Sequence, residues 1–397
     1  MNQVPFGFTP NDGPQPFDLS NMGAMLQQLG AMMQRAQSIP AGQIDWDTVR
    51  QTARQAIAAS PDPSVVDAER ERVRAANELA QLWLDGITDF AAPTLASAAW
   101  SRSEWLEATF DLWKPIVEPV AKSMQRSVGE STSMQMPEGV PAELAAMLTP
   151  MLQMAAQMST VMVASQVGQA LGSLATEAWS ASDIGLPMNK DGVTALVSSN
   201  THAWAGSLEL DVRDVETYLA VREAAAQRLF AATPWLRTRL QDAIAEYAAG
   251  VTVDTERLRE LVADIDVSDP DALQAAMQGG AFEVPLSPGQ TAALARVESL
   301  LTLIEGWVDH ITTIAIGDRI GTSIAIREAL RRRRAAGGPS EKTFQHLIGL
   351  ELRPKKLREA SSFWASLDQA KRDSVWTHPD FLPSVDDLEN PESFVTP

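Results

Sequence analysis

The feature that most constrains this chain is its period. From Asp45 onward apolar residues recur at helical spacing in segment after segment, separated by caps and prolines rather than by the alternation of strands. The fold class expected is mainly α: a large helical bundle with at most a small β-hairpin. Helices are predicted over about 211–230, 234–247, 254–262, 270–277, 287–316, 324–336 and 341–350, with others near Trp364. Ser64 with Asp67, and Ser101 with Glu104, have the spacing in which side chains satisfy the free amides of a helix start. Pro115 and Pro119 fall inside a helical pattern and predict kinks. Gly168 and Gly172 stand one turn apart on a helix expected after Pro141, where small residues predict a close helix crossing. Extended chain is expected only after the turn at Asp191-Gly192, in Val193 to Val197. No repeat of fixed period is visible.

Organisation is read in two parts. Residues 1–40 comprise a Pro- and Gly-containing tail, expected to be loose, and an amphipathic segment whose Met22, Met25, Leu26, Leu29, Met32 and Met33 share a helical stripe. Residues 41–397 form the helical domain, with a division into lobes of about 41–200 and 201–397 left open. The start of the chain has neither a basic nor a continuous apolar stretch, so a cytoplasmic address is expected. Leu144 to Thr176 carries no charge, yet Gln153, Gln157, Gln166 and Gln169 suit a core helix and not a transmembrane segment.

Charge and composition remove whole classes of function. Against 32 Lys and Arg stand 51 Asp and Glu, a formal charge of -19, which repels phosphate backbones, so no nucleic acid partner is expected. With no cysteine, thiolate chemistry and Cys-based metal sites are excluded. Nucleophile-elbow, P-loop and dinucleotide patterns are absent. The acids of Asp264 to Asp269 fit a helix-start turn before Pro270 better than a calcium loop. The 4 histidines, His202, His310, His346 and His378, include no two that are three or four residues apart, so no helix carries a two-histidine metal site. The basic run Arg331 to Arg334, with Arg327, is expected to be a solvated helix end, with docking of an acidic protein partner as the other reading.

A resemblance runs along nearly the whole chain. It is carried by Pro5-Phe6-Gly7-Phe8, Gln81-Leu82-Trp83-Leu84-Asp85, Ser165 to Gly172, Asp183-Ile184-Gly185-Leu186-Pro187, Arg222 to Phe230, Leu303 to Asp309 and Leu350 to Pro354. Together these resemble the actinobacterial family of zinc-dependent metalloproteases and related candidate hydrolases. The resemblance implies a zincin-like site in which H-E-x-x-H places two imidazoles one turn apart on a metal, the glutamate between them taking a proton from metal-bound water. The corresponding stretch here is Arg222-Glu223-Ala224-Ala225-Ala226. Glu223 stands where the general base would be, while Arg222 and Ala226 occupy both ligand positions and neither can donate electrons to a cation. Glu305 is similar to the family's downstream glutamate ligand, with Asp309 one turn further along.

The reading that follows is a metalloprotease-like protein that has lost zinc and catalysis and serves as a binding or regulatory scaffold. No cofactor is expected, and a protein partner is left open. The remnant cleft would comprise Arg222, Glu223, Ala226, Glu305 and Asp309. Arg222 shares the apolar helix face of Val215, Tyr218, Leu219 and Leu229, and Glu305 borders the stripe of Leu301, Ile304 and Val308, so a pairing of the two is expected. The alternative is an active zinc-dependent peptidase or hydrolase that recruits His202 or His310 to Glu223 and Glu305. His310 lies about 140° around its helix from Glu305, which makes those two poor co-ligands.

Overall fold

The computed structural model describes residues 43–134, 161–250, 286–338 and 356–395, with residues 342 and 345, except for 94–96, 187 and 189–191. The Met-rich segment, the expected helices at 254–262 and 270–277, most of 341–350 and the acids 264–269 lie outside the described residues. The described chain is helical nearly throughout. In order come α1 (Trp46–Ala58), α2 (Asp67–Leu84), β1 (Ala98–Trp100), α3 (Arg102–Met134), α4 (161–175), β2 (Ala195–Val197), α5 (Ser198–Ser207), α6 (Val212–Ala232), α7 (Pro234–Ala249), α8 (Pro288–Ile316), α9 (Ser323–Ala335), α10 (Leu357–Ser366), α11 (Gln369–Ser374) and α12 (Val385–Glu389).

Local chemistry sets the starts of these helices. Asp211 accepts from the Arg213 amide before α6, and before α8 Ser287 and Gln290 cap each other's backbone while Pro288 takes the position that needs no donor. Ser101 and Glu104 form the reciprocal cap expected of them. The other predicted cap falls elsewhere: α2 begins at Asp67 with the Val66 amide bound by Glu69, so Ser64 stands outside the cap. The helix α3 continues through Pro115 and Pro119.

Among the described residues the β structure is as small as expected, a two-stranded sheet whose strands run parallel. The strand β1 pairs with β2 in the register Ala98↔Ala195, Ala99↔Leu196 and Trp100↔Val197, joining segments far apart in sequence. Beyond β2, the Val197 amide donates to the Trp179 carbonyl at 2.8 Å, so residues 179–181 run along the other edge of β2.

The core centres on α6 and α8, which pack on each other. The helix α6 also contacts α2, α5 and α9, and α8 contacts α7 and α10. Enclosed in this way, α6 is buried on every side from Tyr218 to Leu229, and α8 from Leu300 to Asp309. A helix buried all round is ordinarily apolar all round. These two carry Glu216, Arg222, Glu223, Arg228, Glu305 and Asp309, so each of those groups must find a partner inside the protein.

Candidate functional site

The helix α6 places Arg222 and Glu223 side by side, 7% and 1% exposed, and α8 places Glu305 and Asp309 opposite at 3% and 1%. The Arg222 guanidinium donates to Glu305 Oε2, so the expected pairing is present. Arg334 of α9 reaches the other oxygen of Glu305 at 3.3 Å. One turn along α8, Asp309 accepts from Arg327 at 2.6 Å and 3.1 Å, from Arg331 at 2.8 Å and from Ser361 of α10 at 2.9 Å. Two acids of α8 thus hold four guanidiniums.

The basic run is therefore turned inward and is not the solvated end read from the sequence. Arg327, Arg331 and Arg334 share one face of α9, and that face lies over the acids of α8. Arg333 lies on Trp179, 3.7 Å from the ring centroid, and donates to the Glu177 carbonyl. Arg332 is exposed.

Electrostatics follows from this packing. Burial opposes the charge on Asp309, but Arg327 and Arg331 more than offset it and hold the carboxyl at about 2. Burial likewise opposes the charge on Arg222, and Glu305 reverses the balance, so the guanidinium keeps its proton more firmly than usual. Burial pushes the phenol of Tyr218, one turn before Arg222, up to about 12. Glu223 differs from the other acids in having neutral partners. Ser182 Oγ and the Ser182 amide donate to its Oε2, the amide at 3.2 Å, and Gln227 donates to its Oε1 at 2.8 Å. Burial raises its pKa, and these hydrogen bonds only reduce the shift.

Ala226, one turn along α6 from Arg222, is packed in the core. The histidines named from the sequence are not brought to this point. His202 of α5 meets Glu216 at 2.9 Å and Arg72 at 3.0 Å. His310 accepts from Arg372 at 3.3 Å, and burial with Arg372 beside it lowers its pKa to about 4. Neither imidazole pairs with Glu223 or Glu305. Among the described residues, no three His, Asp or Glu side chains form a group able to hold a metal ion.

Sequence reasoning missed Arg334, Ser182 and Asp183. The i, i+4, i+7 spacing of Arg327, Arg331 and Arg334 is a visible signal of one helix face. Ser182 has no such signal, since only the fold brings the 180–186 turn onto α6.

Comparison with known proteins places this geometry in context. No curated protein matches the chain significantly. Among solved structures, a protein from Chloroflexus aurantiacus described as a candidate hydrolase with a novel fold is similar, with a TM-score of 0.59 and 21% identity over 89% of this chain and 97% of that one. At this identity the likeness speaks for the fold alone. The profile of the family described as Zincin-like metallopeptidase matches residues 44–395, a span that takes in every residue of the site. The chain belongs to the zincin-like metallopeptidase family.

Proposed function

We propose that this protein is a member of its family that has given up zinc and hydrolysis and acts as a binding or regulatory scaffold. The observation that carries this reading is the bond from Arg222 to Glu305, which puts a fixed organic cation against the carboxylate that would ligate a metal. The residues present do not fit zinc. Arg222 and Ala226 offer no lone pair at the two helix positions, and both oxygens of Glu305 are engaged by guanidiniums. Glu223, in the position of the family's general base, accepts from Ser182 and Gln227.

The buried ion pairs keep the family's helix register without a Lewis acid. The charge of -19 disfavours nucleic acid as a partner of such a scaffold and leaves a protein partner open. No described helix is long and apolar enough to cross a membrane.

Metal analysis of the purified full chain tests the reading. The expected result is substoichiometric zinc after dialysis, unchanged in Glu305→Gln, together with no zinc-dependent cleavage of a casein substrate. Stoichiometric zinc that survives dialysis and is lost in Glu305→Gln would establish the active hydrolase instead.

A further inference from the structure

Residues 180–186 touch a different helix at almost every step. The Ser180 carbonyl accepts from Trp105 Nε1 of α3 at 3.0 Å. Ser182 gives both its hydroxyl and its amide to Glu223 of α6. The Asp183 carbonyl accepts from Arg334 of α9. Gly185, at φ 74°, lies against α8 so closely that a Cβ there would be 3.3 Å from Glu305 Oε1 and 3.3 Å from Leu301 Cδ2. Ile184 and Leu186 are buried alongside. The segment thus runs from the carboxyl of Glu223 on α6 to that of Glu305 on α8.

We propose that residues 180–186 are a self-occluding strap that closes the cleft between α6 and α8, and that Glu223 is its anchor. Glu223 is then a positioning residue. Its Oε2 holds two donors of the strap and its Oε1 is fixed by Gln227. The neutrality of these donors suits the task, because they can hold a carboxyl of raised pKa whether or not it carries its proton. The anchoring explains why a glutamate stands between Arg222 and Ala224 when the metal ligands on either side are gone. This inference rests on the metal-free reading of the cleft, and the two are tested by different measurements.

Hydrogen–deuterium exchange on the full chain reads the strap directly. In Glu223→Ala the amides of 180–186 are expected to exchange about tenfold faster, while those of α6 and α8 keep their wild-type rates. Ser182→Ala, which removes one donor from the strap side, is expected to give a smaller change in the same residues. Glu223→Gln, whose amide oxygen still accepts from Ser182, is expected to restore near wild-type exchange. Wild-type rates at 180–186 in Glu223→Ala would overturn the anchor. So would equal acceleration across α6, α8 and the strap in both the Glu223→Ala and Ser182→Ala proteins. Zinc content of the wild-type sample decides the metal-free reading separately.

Discussion

A buried carboxyl must find either a cation or neutral hydrogen-bond donors, and Asp309 and Glu223 take the two courses. Asp309, held at about 2 against an ordinary 3.8, contributes stability that is present above 3.8 and lost as pH falls toward about 2. Glu223 is raised above 4.5, so its proton leaves the unfolded chain at a lower pH than it leaves the folded protein, and stability falls as pH climbs from 4.5 through the folded value. Glu223→Gln should therefore flatten that decline, which urea denaturation midpoints between about pH 4 and 8 would show; a decline as steep as wild type would refute it. His310 works in the other direction. Its pKa of about 4 against 6.5 means that the unfolded chain takes up the proton first, so acidification from 6.5 toward 4 destabilises the protein, and His310→Gln should weaken that effect. The Arg222–Glu305 pair predicts an asymmetry as well. Glu305→Leu leaves Arg222 without its acid and should cost about 3 to 5 kcal/mol, whereas Arg222→Met leaves Glu305 with Arg334 and should cost less. The double variant should be more stable than Glu305→Leu alone in the same denaturation series, because it removes the stranded charge.

Helices meet closely where their side chains are small, and α4 crosses α1 in this way. A Cβ on Gly168 would be 2.6 Å from Thr52 Cβ and from the Val49 carbonyl oxygen, and one on Gly172 2.5 Å from Ala56 Cβ. Gly168→Val should cost about 1 to 3 kcal/mol by thermal or urea denaturation, with a loss below that range speaking against the crossing. The spacing of those glycines is legible from the sequence, as is the cap at Ser101, because a cap or a small-residue step depends on a few neighbouring residues. What surrounds a helix is less legible. The apolar stripes of α6 and α8 suggest one buried face each, but both helices are enclosed on all sides, and this is what makes Glu216 and Asp309 partners of Arg72 and Arg327. The run Arg331 to Arg334 reads as a solvated end for the same reason: nothing within α9 reveals that the acids of α8 lie beneath it. The short β-prone run reads as part of a hairpin because parallel pairing of residues so far apart leaves no local signature.

At the scale of the whole molecule, a charge of -19 is repulsive wherever it is exposed, while the pairs between α6, α8 and α9 are shielded from salt by burial. Those pairs also define what would rebuild a zinc centre. Arg222→His with Ala226→His would put two imidazoles at i and i+4 on α6, the spacing that holds zinc from one face, with Glu305 opposite. Removing Arg222 also frees one oxygen of Glu305, although Arg334 still engages the other at 3.3 Å. The double variant should therefore melt below wild type without metal, since Glu305 has lost a cation, and should regain stability as zinc is added. Adding Arg334→Met should deepen the loss in the absence of metal and enlarge the zinc-dependent recovery, because the carboxylate then has no competing cation. Wild type should show no such recovery. If zinc raises the melting temperature of the wild type as much as that of the double variant, the ion does not depend on α6 for its ligands, and Arg222 is no stand-in for it. If the double variant gains nothing even with Arg334 replaced, the strap over Glu223 and Glu305 is the remaining barrier, and Ser182→Ala in that background should admit the metal.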